Sequence, residues 1–255
     1  MLHSNFPPLY QKNEVYILVL NFAHRGSLTE APENTLSAIH KALEHQTKAI
    51  EIDVQLTKDK QIIVIHDHHF SRLNENIHGY VNDYTLEEIK SFDIGSSFSK
   101  AYAHETIATL DEVLDICPKD ILLNIEIKNI PIIHDGIEER VIQCLKRHNR
   151  LENILISSFD HQALEKVQAL DPRIPLGLLM FYRLLRPWEY IQSTRLTLRS
   201  VHPNMVYVDQ MLVDEMHKIG LEVYPFTVNH IDEYRKLIDL GVNGVFSNNP
   251  AIFGL

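Results

Sequence analysis

Residues 51–67 read EIDVQLTKDKQIIVIHD: two acidic residues one apart, a charged turn, and a histidine closing a second apolar run. Side chains alternate along a strand, so Glu51 and Asp53 share one face while Ile52 and Val54 share the other. Two carboxylates aimed together repel unless a cation lies between them, and the spacing therefore points to a hard metal held by oxygen atoms. An exposed strand end is the ordinary alternative for this spacing taken alone. Lys58–Lys60 makes a turn, and Gln61–His66 then pairs back on the strand Ala49–Leu56 as a hairpin.

Outward from this stretch, strand and helix alternate. Val15–Ala23 reads as a buried strand, and Asn34 or Thr35 caps a helix through Leu36, Ile39 and Leu43. From Asp67 to about Ile107 the rhythm breaks into polar, glycine-containing sequence with one helical patch at Leu86–Phe92, which reads as an insertion. It then resumes. Helices are expected at Leu110–Ile116, Asp135–His148, Gln162–Leu170, Trp188–Leu196, Val213–Ile219 and Ile231–Leu240, the last ending at Gly241. Strands are expected at Ile121–Ile127, Ile154–Ser157, Ile174–Leu179, Ser200–His202, Leu221–Thr227 and Gly244–Phe246. No internal repeat is present, which removes solenoids and propellers. Eight strands with short connections predict an α/β fold, a (β/α)8 TIM barrel occupying residues 1–255 as one domain. A doubly wound sheet shares the alternation, but no glycine-rich phosphate loop follows the first strand, and polar residues gather at strand ends as barrel enzymes require.

The 255 residues suit one such barrel, and 45% hydrophobic with 23% charged residues is a globular composition. No run approaches the roughly 18 apolar residues of a membrane span. A net charge of −10 disfavours nucleic acid as a partner. Cys117 and Cys144 are too few and too far apart for a disulfide framework or a zinc site and read as buried thiols. With no secretory signal at the N-terminus, a cytoplasmic location is expected.

The polar strand ends carry His24, Glu51, Asp53, His66, Glu126, Lys128 and Ser158. Glu126 and Lys128, in NIEIKN, repeat the alternating pattern and add a third carboxylate and a cation to one face. Three carboxylates suit magnesium or calcium, with water and substrate filling the remaining positions. An unperturbed imidazole has a pKa near neutrality, so one of His24 and His66 can take a proton from an attacking oxygen while the other gives one to a leaving alkoxide. Arg25 offers a planar fork and Lys128 a point charge for a phosphate. Singly, His24 is an ordinary surface histidine and Lys128 an ordinary partner of Glu126; together they describe phosphoryl chemistry. Glu138, Glu139 and Arg140 read as a solvated helix face, and His68, His69 and His161 as surface residues.

HRG at His24–Gly26, APENT at Ala31–Thr35, EIDVQLTKD at Glu51–Asp59 and HD at His66–Asp67 closely resemble the glycerophosphodiester phosphodiesterase family, and YTLEEIKSFDIGSSF, TLDEVL, NIEIK, SSFD, HPN and FTVN follow in order. The resemblance implies a TIM barrel that uses a divalent cation, Mg2+ or Ca2+, to hydrolyse a small-molecule glycerophosphodiester to an alcohol and glycerol 3-phosphate. It implies His24 and His66 as the acid/base pair, Glu51, Asp53 and Glu126 as metal ligands, and Arg25 with Lys128 on the phosphate. It further implies that a substrate hydroxyl attacks, giving a cyclic phosphate that water opens. Phe226 stands where many members have tryptophan, keeping an aromatic wall toward glycerol without an indole donor.

Two other functions compete. A non-catalytic binding barrel would lack one of the polar positions, and none is missing here. A lysophospholipase D would need a surface for an acyl chain, for which Leu178–Tyr190, LLMFYRLLRPWEY, is the candidate. Helix packing against the barrel is the preferred reading of that stretch, with Phe181, Leu184, Leu185 and Trp188 turned inward.

Overall fold

The computed structural model describes residues 9–12 and 15–253. A short antiparallel hairpin, β1 (Leu9–Lys12) and β2 (Val15–Leu18), precedes the sheet. The strand expected over Val15–Ala23 is thus divided: its first half pairs with β1, and only β3 (Leu20–His24) lies in the main sheet. The remaining strands are β4 (Ala49–Leu56), β5 (Ile62–Val64), β6 (Leu122–Ile127), β7 (Ile154–Ser158), β8 (Leu176–Met180), β9 (Leu198–Pro203), β10 (Glu222–Val223) and β11 (Gly244–Ser247).

Eight of these run parallel in the order β10-β9-β8-β7-β6-β4-β3-β11, with β5 antiparallel against β4 as the hairpin required. The last seam closes through individual bonds instead of a regular ladder. Asn243 N donates to Val223 O (3.0 Å), the Asn243 side chain accepts from Val223 N (2.8 Å), and Phe246 N donates to Pro225 O (2.9 Å). Pro225 has no N–H to give back across this seam, which keeps it from forming a regular ladder, and the strand expected over Leu221–Thr227 is regular only over Glu222–Val223. The result is a nearly closed (β/α)8 barrel.

Helices α1 (Leu36–Glu44), α2 (Leu86–Lys90), α3 (Leu110–Ile116), α4 (Ile137–Arg147), α5 (His161–Leu170), α6 (Pro187–Ser193), α7 (Gln210–Lys218) and α8 (Ile231–Leu240) follow in chain order. Their ends obey local chemistry. Thr35 caps α1 by accepting from Ala38 N, and Gly241 ends α8 in the left-handed region at φ 94°. Between β5 and α3 lies the insertion, which carries its own core of Ile63, Ile65, Phe70, Leu73, Val81, Ile89, Ile94 and Ile107. Burial of this set makes the polar-looking segment a packed appendage of the barrel.

Inside the barrel, Phe22, Phe246 and Tyr224 plug the lower half, with Phe22 and Phe246 ring centroids 4.5 Å apart. The charged side chains Glu51, Asp53 and Glu126 lie on the strands above this plug, whereas a separate pair, Arg199 and Glu222, meets it from the other end, Glu222 accepting from the Tyr224 hydroxyl (2.7 Å). Among the described residues no helix is long and apolar enough to cross a membrane. Cys117 and Cys144 are both buried free thiols.

Candidate active site

Strand register sets the charged groups side by side. His24 on β3 lies opposite Glu51 on β4, and Asp53 on β4 lies opposite Glu126 on β6. Oxygens of Glu51, Asp53 and Glu126 come within 4.8 Å of one another, and all three residues are buried. Glu51 Oε1 and Asp53 Oδ1 have no hydrogen-bond partner. Burial, then the charges of Asp53 and Glu126, pushes the Glu51 carboxyl well above its ordinary range. Burial also acts to raise Asp53, but Arg25, His66 and Lys128 outweigh it and hold that group below the usual carboxylate range. Two orphaned oxygens amid three buried carboxylates form a donor set that fits a hard divalent cation.

The cationic side chains sit against this cluster. Arg25, in the left-handed region at φ 59°, donates its backbone N–H to Glu51 Oε2 (2.9 Å) and its Nη1 to Glu33 (3.0 Å), while its Nε lies 3.4 Å from Asp53. Lys128 Nζ donates to Glu126 (2.7 Å), stands 3.8 Å from Asp53, and lies over the Phe159 ring.

Both histidines are held by the same ring nitrogen. His24 Nδ1 meets Asn248 Oδ1 at 2.6 Å, and His66 Nδ1 meets Asp67 Oδ1 at 2.5 Å. Because an amide oxygen and a carboxylate only accept, each Nδ1 carries its proton, and in the neutral ring Nε2 is left to accept one. Burial, then the charge of Arg25, pushes the His24 basicity down to about 4, so this ring is neutral at physiological pH.

These groups face one cavity of about 400 Å³, walled on its far side by Phe159, Phe181 and Phe226. His24, Arg25, Glu51, His66, Glu126, Lys128 and Phe226 all line it, and Asp53 lies just beneath. Ser158 does not reach it: its hydroxyl donates to Ile127 O (2.7 Å), and by alternation Ser157 takes the cavity position.

Several readings of the sequence need correction. Asn34 caps no helix; it sits at φ 58° and clamps Asp53, giving Nδ2 to Oδ2 (2.9 Å) and accepting from Asp53 N (3.2 Å). Glu138 is fully buried and paired with Lys166 at 3.2 Å, off the solvated face expected for it. His68 is half-buried and stacks on His134, and His161 bonds to Leu179 O. The loop after β8 does not fold inward: Leu185 is 91% exposed, Phe181, Tyr182 and Leu184 are also exposed, and only Trp188 packs on the core.

Comparison with known proteins identifies the family. The model of the glycerophosphoryl diester phosphodiesterase family matches residues 24–252. A glycerophosphodiester phosphodiesterase of Caldanaerobacter subterraneus subsp. tengcongensis is 40% identical over 232 residues, 91% of this chain and 94% of that one. One from Bacillus altitudinis is 36% identical over 233 residues, covering 90% and 94%. Among solved structures, an Oleispira antarctica phosphodiesterase in complex with the product sn-glycerol-3-phosphate superposes with a TM-score of 0.84 at 32% identity, covering 92% and 94%. The chain is a phosphoric diester hydrolase built on a parallel barrel. It belongs to the glycerophosphoryl diester phosphodiesterase family.

Proposed function

We propose that the protein hydrolyses glycerophosphodiesters to an alcohol and sn-glycerol 3-phosphate in a reaction that needs a divalent cation and two histidines. One observation carries the reading: two histidines fixed through Nδ1 open onto the same cavity as Glu51, Glu126, Arg25 and Lys128, and those two carboxylates form one buried cluster with Asp53. The product held by the Oleispira antarctica enzyme supports the substrate class.

Glu51, Asp53 and Glu126 would hold Mg2+ or Ca2+, which when bound neutralises phosphoryl charge and lowers the pKa of a nearby hydroxyl. Arg25 and Lys128 bind and orient the phosphate oxygens. One histidine Nε2 takes the proton of the attacking glycerol hydroxyl as the other histidine protonates the departing alkoxide. Attack by the substrate's own hydroxyl gives a cyclic phosphate, and water opens it with the proton roles reversed. No protein nucleophile is required. Phe226 and Phe159 wall the glycerol side. The activity resides in the one barrel domain, and the two free buried thiols suit the reducing cytoplasm.

The test is a substrate panel of glycerophosphocholine, glycerophosphoethanolamine and lysophosphatidylcholine, each with magnesium, calcium or chelator. Turnover of the two glycerophosphodiesters with metal, and none in chelator, is expected. Failure to cleave either diester with any metal would overturn the assignment.

A further inference from the structure

A second set of metal-ligating side chains lies outside the barrel, where α3 meets α4, and the proposed reaction does not use it. Asp111 and Asp115 are four residues apart on α3; Cys144 and His148 are four apart on α4 and its C-terminal cap. Residues at that spacing share a helix face, so the two pairs confront each other across the seam. One ligand atom each from Asp111, Cys144 and His148 lies within 4.8 Å of the others. His148 Nε2 is 2.8 Å from Asp111 Oδ1, and His148 Nδ1 is 3.4 Å from Asp115 Oδ1. Cys144 is fully buried, whereas Asp111 and His148 are partly exposed, so the thiol forms the floor of a place that solvent ions can reach.

The donors differ in kind from the catalytic carboxylates. A thiolate, an imidazole and a carboxylate together select a borderline-soft ion, above all zinc, over magnesium or calcium. Asp115 occupies the position that a supporting carboxylate takes behind a metal-bound histidine, where it fixes which ring nitrogen is free. A cation already attends the site, since Arg147 Nη2 reaches both Asp111 oxygens at 3.0 and 3.2 Å. Its side chain is 58% exposed and free to move into water when another cation arrives.

We propose that Asp111, Cys144 and His148 form a zinc-binding site that ties α3 to α4, with water as the fourth ligand. On binding, the Cys144 thiol proton is released to solvent and the thiolate sulfur bonds the metal; no oxidant or reductant is involved.

Cobalt(II) reports the thiolate directly. The full chain, with excess magnesium present to fill the all-oxygen site, is titrated with cobalt, and a thiolate-to-cobalt charge-transfer band in the near ultraviolet is expected. Zinc should abolish the band by displacement. Cys117→Ser should keep it, Cys144→Ser should lose it, and His148→Gln should weaken cobalt binding about tenfold or more. Zinc should also raise the melting temperature of the unmodified chain and of Cys117→Ser but not of Cys144→Ser. No band in the unmodified chain, or one that survives Cys144→Ser, would overturn the proposal. The thiolate signature is independent of hydrolysis and of metal at the catalytic carboxylates.

Discussion

Arg72 donates through Nε to Asp67 at 2.5 Å, and Asp67 holds Nδ1 of His66 in turn. The same guanidinium reaches Glu33 at 2.7 and 2.6 Å, and Glu33 pairs with Arg25. A residue of the insertion therefore ties His66 to Arg25 through two carboxylates, Asp67 and Glu33. Arg72→Ala should free Asp67 and let His66 swing, lowering kcat by about tenfold to a hundredfold. Metal affinity should be unchanged, and Arg72→Lys should recover part of the loss. An unaltered kcat in Arg72→Ala would remove the insertion from the catalytic alignment.

His24→Ala and His66→Ala should each reduce turnover by about 10² or more, with metal affinity nearly intact. Asn248→Ala should have a smaller effect than His24→Ala, because it removes only the group that orients Nδ1. Near-normal turnover in either histidine variant across the pH range would refute the two-histidine mechanism.

Chelation should abolish activity, since the buried carboxylates would then oppose the substrate's charge. Glu51→Gln and Glu126→Gln should each weaken metal binding, with activity partly restored at high metal concentration. Calorimetric metal affinities equal to that of the unsubstituted chain in both variants would place these residues outside the metal site.

Stability should fall on the acid side of neutrality. His202 is fully buried against Phe246 and Tyr224, and burial, then the charge of Arg199, pushes its basicity down to about 3. An unfolded histidine takes up a proton near pH 6.5, whereas this folded one does not until near pH 3. Between those values the unfolded chain binds more protons, so stability declines as pH falls, by about 1.4 kcal/mol per pH unit for this residue. His134, pushed down to about 4 by burial and then His68, acts in the same direction. Melting temperatures measured from neutral to mildly acidic pH should drop less steeply in His202→Asn; an identical slope would show that His202 is not the titrating group.

Leu185 projects into solvent beside Tyr182 and Leu184. Leu185→Ser should leave stability within about 0.5 kcal/mol, as expected for an exposed site, and kcat/KM for glycerophosphocholine unchanged. Glycerophosphocholine should remain a better substrate than lysophosphatidylcholine. A reversed order that collapses in Leu185→Ser would identify this loop as an acyl-chain surface.

What was legible in the sequence follows from how each signal is written. The bounds of β4, α3 and α8 coincide with the expected Ala49–Leu56, Leu110–Ile116 and Ile231–Leu240 because apolar periodicity and a terminal Thr or Gly mark them locally. The charged residues at strand ends were legible because alternation puts them on one face. Asn34 reads as a helix cap and not as the partner of Asp53, and nothing in the local sequence marks Asn248 or Arg72. Neutral amides carry no charge pattern, and Arg72 meets Glu33 across 39 residues through a fold that local spacing does not encode. Glu138 resembled a surface residue because its partner Lys166 lies on the next helix. The β8–α6 loop has the composition of packing material, yet Tyr182, Leu184 and Leu185 are exposed, because apolar composition without a helical period does not say which way a loop faces.

Gly177 lies beneath His202, and a methyl group there would come within 2.5 Å of the imidazole Cε1. The barrel floor is therefore shaped by an omission on one strand that admits a ring from the next. Enlarging that residue would press on His202 and, through it, on the rings of Tyr224 and Phe246 beside it. Because His202 lines the cavity and Gly177 does not, a side chain at residue 177 would alter the depth of the cavity from outside it, with the charged groups at its mouth untouched.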